Sequence, residues 1–162
     1  MKAKKKPGKI QRRDIYYIAG AVAVLAVAIA LIGSREVPKP EIMAHGEQVA
    51  YHHHVRFEYY LDGQKQVVPA NIGVPIDQNH PLGRYGVAGI APIHTHETDG
   101  LIHMESKDEE KPFTFGEFLE LWGLDLTDKQ AALLANGERI TDMEGYVLKD
   151  GASLRLEVTT QQ

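Results

Sequence analysis

Residues 51–61 read YHHHVRFEYYL and run directly into Asp62-Gly63. Aromatic and β-branched side chains dominate the stretch, the composition of a strand, and Asp-Gly is a strong hairpin-turn signal. The pattern predicts a strand over Tyr51–Leu61 and a returning strand over 66–69. Pro69 ends the return because it has no amide to donate. Alternate residues of a strand share a face, so His52 and His54 project together while His53 points the other way.

Downstream of this hairpin, glycine and proline punctuate 71–89, which reads as loop. Two short strands are expected over 90–96 and 101–105, joined by Glu97-Thr98-Asp99-Gly100, with a solvated loop at 106–111 (SKDEEK). The clearest helix is 114–123 (TFGEFLELWG): Phe115, Phe118, Leu119 and Trp122 repeat at helical spacing and bury one face. Thr114 with Glu117 forms a capping box, in which each side chain satisfies an otherwise orphaned amide, and Gly123 supplies the left-handed residue past the end. Asn136-Gly137 predicts a second hairpin, although Thr127-x-x-Gln130 is a competing cap that would make 128–135 helical. Asp150-Gly151, between 146–148 and 154–158, predicts a third. The expected fold class is α+β: a small antiparallel-sheet domain with one or two helices. Its C-terminal hairpins loosely resemble the β-grasp (ubiquitin-like) fold.

Upstream, the 162-residue chain divides by charge. Residues 1–14 hold seven of its 18 Lys and Arg and one acid, a net +6, and the remaining 148 carry 11 bases against 21 acids, a net −10. Between tail and domain, 15–32 (IYYIAGAVAVLAVAIALI) has no charge. At ~1.5 Å per helical residue it reaches about 27 Å, close to the roughly 30 Å hydrocarbon core of a bilayer. Tyr16 and Tyr17 stand at its basic end, where amphipathic rings favour the interface. The expected organisation is a basic cytoplasmic tail (1–14), a transmembrane signal anchor (15–33), a proline-containing stalk (34–44) and an extracytoplasmic domain (45–162). The run exceeds the roughly 7–15 residues of a cleaved signal peptide, whose best cleavage match here, Ala28-Ile29-Ala30, lies inside it. The bilayer accounts for the basic tail without a nucleic-acid partner, and none is expected. Ala19 with Ala23 permits packing against other helices, so a membrane protein complex is a candidate partner.

All eight histidines lie between 45 and 103, away from either terminus, so an expression tag does not explain them. His94 and His96 share a face of their strand, as His103 and Glu105 do of theirs. If these strands neighbour 51–61, the imidazoles of His52, His54, His94, His96 and His103 converge as metal ligands. Glu97, Asp99 and Glu105 are candidates to ligate or to orient an imidazole. Cysteine is absent, which excludes disulfide scaffolds, thiolate-bound zinc, iron–sulfur clusters and thiol catalysis. Imidazole without thiolate favours Cu(II) or Zn(II) over Cu(I). Two further readings stay open: incidental histidines on an accessory subunit of a membrane complex, and a pH sensor.

A catalytic zinc site is a third. His94-Thr95-His96 followed by Ser106 resembles the JAMM metalloprotease pattern, but Glu97 replaces its proline, the interval to Ser106 is two residues too long, and Glu109 stands where aspartate belongs. The same stretch resembles the metallo-β-lactamase signature, with Thr98 and Asp99 in place of its Asp and last His. Glu97 is a possible general base. Nothing singles it out, and the residues favour a binding protein over an enzyme.

Three segments together carry one further resemblance. They are His52-x-His54 with Val68-Pro69-Ala70-Asn71-Ile72-Gly73, the block 93–106 (IHTHETDGLIHMES), and Phe113-Thr114-Phe115-Gly116-Glu117-Phe118 through Leu121-Trp122-Gly123. They are similar to a set of uncharacterised prokaryotic exported or membrane-anchored proteins with the pattern H-x-H, IPAxIG, HTHDxxGxIHxES and FTLGxFFxxWG. Its repeated histidines match His52, His54, His94, His96 and His103; Glu97 replaces the usual Asp, and Arg56 stands where His is frequent. The resemblance implies these residues and this layout, not a reaction.

Overall fold

A computed structural model describes residues 41–77, 79–108 and 111–161. The tail at 1–14, the anchor at 15–33 and most of the stalk lie outside them; among the described residues no helix is long and apolar enough to cross a membrane. They form a mostly-sheet domain with one α-helix.

The strands are β1 (Ile42–Ala44), β2 (Glu47–Val49), β3 (Tyr51–Leu61), β4 (Gln64–Gln66), β5 (Ile93–His94), β6 (Leu101–Ser106), β7 (Lys129–Ala135), β8 (Glu138–Ile140) and β9 (Ser153–Thr160). The helix, α1, is Phe115–Trp122. β1 and β2 make a separate hairpin, and the other seven strands form one sheet in the order β5-β6-β3-β9-β7-β8, with β4 also paired to β3. The long β3 accommodates two antiparallel partners: β6 opposes 51–56 and β4 opposes 59–61. β9 runs alongside it from Arg56 to Leu61.

The alternation expected of β3 is observed. Val55, Phe57 and Tyr59 are buried on the face that α1 covers. Phe57 meets Phe115, Phe118 and Trp122 edge-on, with ring centroids 5.4, 5.7 and 6.0 Å away. Ile102 and Met104 of β6, Leu133 of β7, and Leu154, Leu156 and Val158 of β9 complete this core. Burying each such side chain contributes about 1.5–3 kcal/mol. The helix ends are built as the sequence predicts: Thr114 and Glu117 cap each other's backbone amides, and Gly123 is left-handed with φ 68°.

Five expectations differ. Residues 129–135 are a strand, so the competing helix is not formed. The third hairpin is also absent: 146–148 contributes a single bridge, Val147 to Thr114, and Leu148 N–H donates to Phe113 O at 2.9 Å. Both edges of β9 are occupied already, by β7 on one side and by β3 on the other. The β3–β9 pair is parallel, which makes the sheet mixed where an antiparallel one was expected. Finally, Ile42–Ala44, at the end of the stretch read as stalk, pairs with Glu47–Val49, and Ser106, read as the start of a solvated loop, is buried at the end of β6.

Candidate metal centre

Because β3 commits its odd-numbered residues to the core, its even-numbered ones face the opposite side of the sheet. Register then sets their neighbours. His52 lies opposite Glu105 and His54 opposite His103 across β3 and β6, while His94 of β5 lies opposite His103. One face of three adjacent strands thus carries His52, His54, His94, His103 and Glu105. His96 follows β5 and joins them: its ring centroid is 4.7 Å from that of His94 and 4.8 Å from that of His103.

The sequence reading missed one further imidazole, His45. It sits in the turn between β1 and β2 at φ 51°, with Gly46 after it. Its ring lies 5.1 Å from that of His96 and 5.7 Å from that of His94. Alternation on a strand cannot place a turn residue, so the only available signal was its being one more histidine before a glycine. The hairpin is held by a small apolar cluster of Ala44, Val49 and Val87 with Ile42. Ala50 N–H donating to Ser106 O at 2.7 Å and an ion pair between Glu47 and Lys107 add to it.

Two trios have their ligand atoms within 4.8 Å of one another, His45/His94/His96 and His52/His54/His103; His94, His103 and Glu105 form a third, overlapping group. Within the first trio, His94 Nε2 and His96 Nε2 are 3.1 Å apart. Within the second, His52 Nε2 and His103 Nδ1 are 3.4 Å apart. Two metal–nitrogen bonds of about 2.0–2.1 Å span such separations at angles of roughly 100° and 110°, close to tetrahedral.

The carboxylate completes the arrangement. Glu105 is 2% exposed, with Oε1 2.9 Å from His52 Nε2 and Oε2 3.1 Å from His45 Nε2. The His45 contact lacks hydrogen-bond alignment, so Oε2 is buried without a hydrogen-bond partner. A carboxylate removed from water this way is costly unless a cation or donor faces it.

Several bonds hold the imidazoles in place. His94 Nδ1–H donates to Ala91 O at 2.8 Å, which turns the Nε2 lone pair toward the cluster. Thr95, between these two histidines, accepts from Ile72 N–H at 3.1 Å and donates to Pro69 O at 2.9 Å. The 69–73 segment is thereby laced to His94-Thr95-His96. Gly73, at φ 74°, packs so closely that a Cβ there would sit 2.8 Å from the Ala91 Cβ. His54 is fixed through its backbone, its N–H donating to Asp150 Oδ1 and its carbonyl accepting from Gly151 N–H.

At His52, His94 and His103 burial favours the neutral imidazole, the form that ligates. Loss of solvent, opposed by the Ala91 carbonyl and reinforced by the neighbouring histidines, pushes His94 down to about 3. Loss of solvent, with His96, His54 and His52 adding to it, pushes His103 down to about 4. Desolvation also lowers His52, against the pull of Glu105.

The remaining candidates lie apart. Glu97 and Asp99 are exposed; Asp99 Oδ1 accepts from Leu101 N–H at 2.9 Å to close the turn before β6, and from there its charge opposes the lowering of His103. His53 stacks on Tyr51 on the other face of the sheet. His80 lies 3.7 Å from Glu120, at a groove between 69–77 and the end of α1. No protein-family model, curated protein or solved structure matches the chain.

Proposed function

We propose that this chain is a membrane-anchored, extracytoplasmic protein that binds a transition metal, Cu(II) or Zn(II), through His52, His54, His94, His96 and His103, for metal handling or as a structural site. The single observation that carries the metal reading is the convergence of six imidazoles and one buried carboxylate from β3, β5, β6 and the β1–β2 turn, in trios whose nitrogens are spaced as ligands. Choosing copper or zinc rests on donor chemistry, since imidazole and carboxylate without thiolate suit these ions in their divalent state. Anchoring rests on the uncharged run 15–32 behind a +6 tail, and export on the positive-inside rule. The β-grasp reading has support from strand order: β4-β3-β9-β7-β8 places the first and last of these five strands, β3 and β9, parallel at the centre, with α1 between the β3–β4 and β7–β8 hairpins in sequence.

The test is elemental analysis of the full chain purified in mild detergent, followed by thermal melting with and without chelator. The reading expects stoichiometric copper or zinc. An ion at a hundredfold excess over its Kd adds about 2.7 kcal/mol of stability, so chelation should lower the melting temperature by several degrees. A chain that retains neither metal and melts identically in chelator overturns it. Carbonate-resistant membrane association, with external protease reaching 45–162, tests the topology.

A further inference from the structure

Each trio contains one nitrogen pair at near-tetrahedral spacing, and the trios are not the same three residues. A zinc ion bonds to imidazole at about 2.0–2.1 Å and takes four ligands, so six imidazoles and a carboxylate exceed what one zinc uses. The Glu105 oxygens divide the same way. Oε1 faces His52, a member of the β3/β6 trio, and Oε2 faces His45, a member of the trio that His94 and His96 complete. Nor are the trios remote: the His94 and His103 rings, one from each, stack with centroids 5.4 Å apart and planes 13° from parallel.

We infer that the cluster is a dinuclear centre: one divalent ion held by His45, His94 and His96, a second by His52, His54 and His103, with Glu105 bridging them through its two oxygens. This deepens the metal-binding reading and rests on it. Three neutral imidazoles and one carboxylate oxygen fill four positions at each ion. The bridge also gives the buried, unpartnered Oε2 its cation. The first site is complete only with His45, which the β1–β2 turn supplies.

The full chain, purified in detergent and stripped with chelator, is titrated with Cu(II) alone and, separately, Zn(II) alone in buffer containing free histidine as competitor. The expected result is a plateau at two ions per chain. For copper, the paramagnetic resonance signal of the fully loaded protein should integrate to less than half of the copper present, because bridged ions couple. His45→Ala should reduce the plateau to one ion per chain with a full, uncoupled signal. Glu105→Gln should leave any two bound copper ions uncoupled and weaken the second at least tenfold. A wild-type plateau at one ion, or two ions with an uncoupled signal, overturns the dinuclear centre while leaving metal binding intact. Retention of no ion overturns both.

Discussion

Glu105 Oε1 stands 2.9 Å from His52 Nε2, and the two residues are directly opposed on antiparallel strands β6 and β3. The carboxylate is all but sealed from water, yet the groups facing it are histidines rather than lysine or arginine. A buried charge left without a full partner is destabilising, and an ion beside it reverses the sign.

From this relationship Glu105→Gln should act in opposite directions on the two forms of the protein. In chelator, the amide avoids the desolvation cost of the charge, so the melting temperature should stay level or rise. In the presence of Cu(II) or Zn(II), affinity should fall at least tenfold, and with it the stabilisation the ion confers. Thermal melts at fixed ion concentration, paired with competition titrations, measure both. A variant that binds as tightly as wild type would remove Glu105 from the centre.

Thr95→Val tests how the ligands are held. The hydroxyl donates to Pro69 O and accepts from Ile72 N–H; the Ile72 bond is buried and the Pro69 bond partly so. Valine keeps the shape but strands the buried Ile72 amide, at a cost of about 1–3 kcal/mol. Chemical denaturation should record that loss. Metal affinity should fall as well, since residue 95 sets the positions of His94 and His96 on either side of it. Loss of stability with unaltered affinity would mean that the loop supports the fold alone.

The metal-free domain should be acid-sensitive in a particular window. His94 and His103 are pushed down to about 3 and about 4 in the folded chain, against about 6.5 when unfolded. Between these limits the unfolded state binds more protons, so stability rises with pH there. It is complete above about 6.5 and is lost progressively as pH falls below it. For the fully buried His94 the slope reaches at most about 1.4 kcal/mol per pH unit. Denaturation midpoints between pH 7 and pH 4 give the measurement, and His94→Gln should flatten the profile. A midpoint independent of pH over that range would contradict the burial argument.

Much of the site was legible because strand alternation has a period of two. Once 51–61 is a strand whose odd residues are apolar, His52 and His54 must share the other face, and the same rule places His103 with Glu105. The capping box and Gly123 were legible for a similar reason, since local backbone chemistry specifies them. Strand order was not. Nothing local to 154–158 says that its partner is β3, nearly a hundred residues earlier and parallel, so Asp150-Gly151 was taken for a hairpin turn. That turn instead supplies the bonds that fix the backbone of His54. His45 escaped because a turn residue has no facing rule. Glu97 and Asp99 were singled out by proximity in sequence, yet the loop carries them into solvent, while Glu105 two positions beyond His103 is the acid that the register turns inward.

The eight histidines should separate into ligands and bystanders under single alanine substitution. His45 hangs from a hairpin turn with 27% of its side chain exposed, and the Ala44, Val49 and Val87 cluster holds that hairpin without it. Its replacement should cost less than about 0.5 kcal/mol in chelator, the usual range for a surface change, yet weaken Cu(II) or Zn(II) binding at least tenfold. His53, which stacks on Tyr51 across the sheet, and His80, beside Glu120, should leave the affinity unchanged when replaced. Denaturation curves separate the stability effect from the binding effect, which isothermal titration reads directly. If His53→Ala or His80→Ala weakened binding as much as His45→Ala, the ion would be recognising a diffuse imidazole surface, and the assignment of the centre to one face of β3, β5 and β6 would not stand.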